Sequence, residues 1–119
     1  MHEMSIAQNI IEIVQQQIPP ATEAFVSSIK LRIGEMSGVM TESLSFCFSV
    51  LSEGTSMKNA ELIIEKIPVS EKCRECENLF TPGIFLSTCP ICASPNVEIL
   101  AGRELQVVEF DLHDQQPMA

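Results

Sequence analysis

The chain has 119 residues and a formal net charge of −9, with 16 acidic residues against seven basic ones. It is long enough for one compact domain, or a small domain plus a metal-stapled module, and its 45% hydrophobic content without Trp or Tyr calls for an aliphatic core with six Phe. The acidic balance argues against nucleic acid, which needs Lys and Arg to displace counterions, and against anionic membranes, leaving a metal ion or a basic protein surface as the better partner.

Residues 4–18 carry Ile6, Ile10, Ile13, Val14 and Ile18 at helical spacing, with Gln8, Asn9, Glu12, Gln15 and Gln16 on the polar side. Pro19-Pro20 ends this helix, because the residue before a proline avoids helical angles. Phe25 to Ile33 reads as a strand, Phe25, Ile29, Leu31 and Ile33 alternating with Ser28, Lys30 and Arg32. Gly34-Glu35-Met36-Ser37-Gly38 reads as a connection, since it has no phosphate-loop pattern and no following Lys. A second helix covers 42–53, with Thr41 as N-cap, Glu42 at its positive end and Gly54 as its stop. Leu44, Cys47, Phe48 and Leu51 form its apolar stripe, on which Cys47 reads as a small core residue.

Glu61 to Ile67 is a second strand, ended by Pro68. Strand, helix and strand in succession predict a parallel pair with a right-handed crossover. Glu104 to Leu112 is a third strand. Its apolar side changes from Leu105 and Val107 to Val108, Phe110 and Leu112, which predicts a bulge or burial on both faces. It can join the first two strands only if the intervening segment is an insertion, hung from Pro68-Val69-Ser70 and Leu100-Ala101-Gly102. The fold expected is therefore α+β, two helices on a small three-stranded mixed sheet with an inserted ribbon. One domain would take 1–69 and 103–119, the other 70–102. The polar tail from His113 onward is expected to fray.

The insertion holds Cys73-Arg74-Glu75-Cys76 and Cys89-Pro90-Ile91-Cys92. Each C-x-x-C turn aims two thiolates at one point, and two such turns close a tetrahedron around Zn²⁺. Four sulfurs leave no open position, so the metal is structural and not catalytic. Two disulfides are the competing reading, and the spacing suits a metal better. A rubredoxin-like iron site is another, which colour would reveal. Leu79, Phe80, Ile84, Phe85 and Leu86 offer this module only a tiny core, so the metal supplies much of its folding free energy, on the order of 10 kcal/mol. Cysteines in metal spacing fit a reducing cytoplasm. Met1-His2-Glu3-Met4 has neither the basic start nor the apolar stretch of a signal peptide.

His2 stands beside the amino terminus. A free α-amine, the deprotonated amide of residue 2 and its imidazole form joined chelate rings, a square-planar nitrogen set suited to Ni²⁺ or Cu²⁺. Glu3 would add an oxygen or an outer contact. The alternative is a solvated terminal histidine, since any X-His terminus chelates metal weakly. His113 has no nearby ligand in sequence.

Met1-His2-Glu3-Met4-Ser5, Gly34-Glu35-Met36-Ser37-Gly38-Val39, the two C-x-x-C pairs and Gly102-Arg103-Glu104-Leu105 follow one another in order. Together they resemble the HypA/HybF family, nickel-binding accessory proteins of [NiFe]-hydrogenase maturation, over the whole chain. The resemblance implies nickel on His2, zinc on Cys73, Cys76, Cys89 and Cys92, and a two-helix, three-stranded nickel domain with an inserted zinc ribbon. One departure shows: the residue after each C-x-x-C is commonly glycine in that family and here is Glu77 or Ala93. The function implied is a cytoplasmic metallochaperone, not an enzyme, with structural Zn²⁺ and transferred Ni²⁺. Its partners would be a HypB-like GTPase and a hydrogenase large subunit (urease being another recipient), in a monomer or homodimer. The alternative is a zinc-ribbon protein-interaction module with no nickel role. A zinc hydrolase is rejected, because neither Ser-His-Asp nor H-E-x-x-H is present. A C-x-x-C redox enzyme would need the thiols that bound zinc removes.

Overall fold

The computed structural model describes residues 2–19, 23–82 and 88–114. Helix α1 (Glu3–Gln17), strand β1 (Ala24–Gly34), helix α2 (Thr41–Leu51), strands β2 (Glu61–Ile67), β3 (Ser70–Cys73), β4 (Leu79–Phe80) and β5 (Val97–Ala101), and strand β6 (Leu105–Asp114) follow in order. They form two three-stranded sheets, ordered β2-β1-β6 and β4-β3-β5. The chain divides into two compact units, one of Met1–Arg32, Gly38–Glu65 and Gln106–Ala119, the other of Ile33–Ser37 and Lys66–Leu105. Residues 70–102 all fall in the second.

In the first unit, α1 buries Ile6, Ala7, Ile10 and Val14, while Ile13, expected on the same stripe, is 47% exposed. The helix stops at Ile18, whose ψ of 125° is the extended value that Pro19 imposes on its neighbour. Helix α2 buries Leu44 and Phe48. Its N-cap is Met40, with no side-chain hydrogen bond, and Thr41 is already its first helical residue. The predicted hydroxyl cap is thus one position off. At the other end Ser52 N–H donates to Phe48 O and Glu53 N–H to Val50 O, and Gly54 turns with φ 79°.

The orientation of the first sheet follows from its contacts. Arg32 Nε lies 3.8 Å from Glu65 Oε2, and Glu35 N–H donates to Ile67 O, so partners rise together and β1 and β2 run parallel. Gly34 N–H donates to Glu104 O, whereas Ser28 Oγ donates to Asp111 Oδ2, so β6 runs antiparallel to β1. The sheet is mixed, as the element order implied.

Strand β1 changes phase midway. Ala24 and Val26 are buried, then Ile29, Leu31 and Ile33. Between them, successive residues Ser27 and Ser28 both reach side chains on one face of β6: Ser27 Oγ lies 2.9 Å from His113 Nε2, and Ser28 bonds Asp111. Two neighbours facing the same way mark a β-bulge. The bulge turns Phe25 out of the core, where the alternation had placed it. It is 46% exposed and stacks on His113 with ring centroids 5.2 Å apart. Strand β6 does not show the expected burial on both faces. None of residues 105–113 is buried.

In the second unit β3 pairs antiparallel with β4 (Glu71↔Phe80, Lys72↔Leu79) and with β5 (Lys72↔Glu98, Cys73↔Val97). Glu35 N–H bonds Ile67 O, and Met36 N–H bonds Gly102 O. The two backbones touch at Gly34, where a Cβ would lie 2.1 Å from Gly102 C and O. Leu79, expected in a small core, is 66% exposed, and Phe80 is half-buried. Ile84, Phe85 and Leu86 lie outside the described residues.

Candidate metal centre

Two turns of the same construction carry the cysteines. In the first, Cys76 N–H donates to Cys73 Sγ at 3.4 Å, and Glu77 N–H donates to Cys73 O. In the second, Ile91 N–H donates to Cys89 Sγ at 3.4 Å, and Ala93 N–H donates to Cys89 O. Each turn closes through a left-handed residue, Glu77 at φ 63° and Ala93 at φ 59°. Both are L-residues held at angles that favour glycine. Strand β3 delivers Cys73, whose N–H bonds Asn78 O, and Cys89 N–H bonds Ser94 O in the same way. The turns are tied to each other by Arg74 N–H to Asn96 O, and Asn78 Nδ2 lies 3.9 Å from Cys89 Sγ.

The four Sγ atoms of Cys73, Cys76, Cys89 and Cys92 lie within 4.8 Å of one another. Among the described residues this is the one group of three or more possible ligands drawn so close. Sulfurs at about 2.3 Å from a tetrahedral Zn²⁺ would stand about 3.8 Å apart. The Cys73–Cys92 and Cys76–Cys89 separations, both 3.5 Å, fit that cage and are far too long for disulfides. Cys73 and Cys89 are buried, and Cys76 and Cys92 are exposed. The first cysteine of each pair thus closes the inner side.

Crowding four thiols splits their acidities. Burial works upward on Cys89, yet the N–H groups of Cys92 and Ile91, with the Cys76 and Cys92 thiols, bring it down to about 6. Cys73 is lowered first by the Cys76 N–H. The N–H of Ser94 favours ionised Cys92, but the neighbouring Cys73, Cys76 and Cys89 sulfurs and burial push it up to about 12. Cys76 is raised too: the Asn78 N–H pulls it down, and Cys89, burial and Cys73 outweigh that pull. Some thiolates are stabilised and others held protonated, since like charges this close cannot all ionise unaided. A divalent cation among them would favour the thiolate form of all four.

His2 belongs to the other unit. It is exposed and occupies the N-cap of α1 with φ −95° and ψ 126°. The first helical bond is Ile6 N–H to His2 O, so the helix makes no claim on the amide of residue 2. Met1, whose amine completes the proposed chelate, lies outside the described residues. His2 and Glu3 line an open cleft of about 520 Å³ with Met4, Glu42, Ser43, Phe46 and Cys47. Glu3 Oε2 lies 3.5 Å from Met40 N, which brings the starts of both helices together. Cys47 is half-buried and lines this cleft, so its reading as a plain core residue is corrected. The signal was its i, i+4 spacing from Ser43, another cleft residue. Glu42 was read only as a helix-end charge. His113 holds Ser27 and Phe25 and joins no cluster of possible ligands. No helix among the described residues is long and apolar enough to cross a membrane.

A sequence profile for hydrogenase and urease nickel incorporation, the HypA metallochaperone, matches residues 1–112. The chain is 42% identical over 112 residues to the hydrogenase maturation factor HypA of Chloroflexus aggregans, covering 93% of this chain and 98% of that one. It is 38% identical over 117 residues to the HypA of Desulfosudis oleivorans, covering 96% and 100%. The solution structure of the nickel metallochaperone HypA from Helicobacter pylori superposes with a TM-score of 0.66 at 24% identity, over 97% of this chain and 100% of that one.

Proposed function

This chain belongs to the HypA family of hydrogenase and urease nickel-incorporation factors, which are maturation factors and not enzymes, and on that premise we propose that it binds Ni²⁺ at its amino terminus and delivers it for maturation of a [NiFe]-hydrogenase. The α-amine of Met1, the amide of residue 2 and the His2 imidazole would hold the ion. A maturation role implies maturation partners. A HypB-like GTPase and the hydrogenase large subunit are the ones proposed here, with urease as a further recipient. The cytoplasm is the compartment in which the reduced thiols would persist. The four cysteines hold Zn²⁺, which closes the ribbon and leaves no position for substrate.

The observation that carries this reading is the placement of His2. It is exposed at the first turn of α1, ahead of the helical hydrogen bonds, on an open cleft with Glu3 and Glu42. A cargo site must release its ion. A terminus with few protein ligands does so more readily than a closed cage.

The test is metal analysis of untagged protein after nickel incubation and desalting. One zinc and one nickel per chain are expected. His2→Ala, an alanine inserted between Met1 and His2, or a blocked α-amine should each remove nickel and leave zinc and helical content unchanged. Protons compete for the same nitrogens, so nickel should leave before zinc as pH falls. A blocked protein that binds one nickel as tightly as the free one overturns the proposal.

A further inference from the structure

Strand β6 is an edge strand of the β2-β1-β6 sheet, yet five of its residues, Leu105, Val107, Val108, Phe110 and Leu112, are apolar and spread over both faces. That composition suits a strand covered on both faces. Here none of them is buried: Val107 and Phe110 are half-buried, Val108 is 46% exposed and Leu112 is 37% exposed. The outer row of N–H and C=O groups has no strand partner among the described residues, and such a row is a template for pairing.

We propose that the β6 edge, over residues 106–113, accepts an extended segment of another polypeptide whose apolar residues alternate with Lys or Arg. The segment would become a fourth strand of the sheet. Main-chain hydrogen bonds would supply affinity, and the exposed side chains would supply selection. Charge decides the occupant. Strand β6 carries exposed Glu109 and Asp111. Lys30 and Arg32 stand on the neighbouring β1, and Arg32 is already 3.8 Å from Glu65, so the two carboxylates of β6 meet at most one further cation across that pair. A second copy of this chain would bring another net charge of −9 and a second Glu109–Asp111 pair to the same edge. Like charges across a strand pair are unfavourable, whereas Lys or Arg would meet opposite charge. The proposal is independent of both metal sites.

The probes are a synthetic peptide alternating Lys with Val and its Glu–Val counterpart, titrated against the full chain at low and high salt. Amide hydrogen exchange is followed along β6. The Lys–Val peptide should bind at least about tenfold more tightly than the Glu–Val peptide, slow exchange within 106–113, and weaken as salt screens the carboxylates. V108K should weaken it about tenfold, because it puts a charge where the segment packs. Glu109→Lys combined with Asp111→Lys should reverse the preference between the two peptides. Equal binding of both peptides, no binding of either, or binding that leaves β6 exchange unchanged would overturn the proposal. Self-association that strengthens with salt and is abolished by V108K would also overturn it, in favour of a second copy. The two-peptide comparison uses the unmodified chain, so it does not depend on any variant folding.

Discussion

Glu77 and Ala93 close the two cysteine turns at φ 63° and 59°, a region that L-residues enter at a cost of about 1–2 kcal/mol. Ala93→Gly removes the Cβ that causes this strain. It also gives back about 0.5–1 kcal/mol, because glycine has more freedom to lose on folding. The net gain is about 0.5–1 kcal/mol per site. Because the metal and the ribbon form together, the gain should appear in the metal equilibrium, as about a two- to fivefold rise in zinc affinity. Competition against a chromophoric chelator reads that ratio directly. Glu77→Gly should gain similarly, with Glu77→Gln separating lost charge from relieved strain. Ala93→Val should move the other way, since a β-branched residue fits φ > 0 worst. If Ala93→Gly leaves affinity unchanged and Ala93→Val does no harm, the turns do not hold the angles described.

Gly34→Ala would place a methyl 2.1 Å from the backbone of Gly102, which no side-chain rotation relieves; a loss of about 3 kcal/mol is expected, seen as a clear fall in melting temperature. Cys73→Ser should release zinc and unfold the ribbon while the circular dichroism of α1 and α2 persists, and full zinc retention at unchanged affinity would refute it. In reduced, metal-free protein, despite burial, the backbone N–H groups of Cys92 and Ile91 bring the Cys89 thiol down to about 6, well below the ordinary thiol range. Its contribution to folded stability is therefore complete above pH 9 and lost as pH falls through about 6. Thiolate absorbance should show a step near that pH, and Cys89→Ser should delete it.

The cluster of Cys73, Cys76, Cys89 and Cys92 was legible because C-x-x-C is a local device: the spacing alone turns two sulfurs to one point. The helices were legible for a similar reason, their apolar period and Pro19 being enough to fix a face and an end. What escaped depends on partners distant in sequence. Phe25 obeys the alternation of β1, and only the Ser27–His113 and Ser28–Asp111 contacts reveal the bulge that turns it outward. Ile13 sits on the helical stripe, but the stripe is wider than what covers it. Cys47 looked like core because its neighbours on the wheel are core. The cleft it lines exists only once α1 and α2 begin side by side, with Glu3 next to Met40. The role of Gly34 was likewise hidden, since a close approach to Gly102, 68 positions along the chain (102 − 34), needs the whole intervening segment to fold back.

The two proposed metal positions sit in opposite electrostatic settings, and this bears on which ion is kept. At the cysteines, the Cys76 and Ile91 N–H groups point at sulfur, so each peptide dipole favours the thiolate that a cation needs. The closed cage and its backbone therefore act in the same direction. At the amino terminus the dipole works the other way. His2 stands at the N-cap of α1, where the exposed N–H groups present positive partial charge. The start of α2 lies beside it, and a dication there faces two such ends. Among the described residues lining the cleft, Glu3 and Glu42, each in the first turn of its helix, supply the acidic offset. A site whose chelate attracts and whose helices repel binds more weakly than the same chelate on a flexible peptide without them. On the proposed reading that opposition is useful: it keeps the hold on nickel reversible, while the ribbon metal stays for the life of the fold.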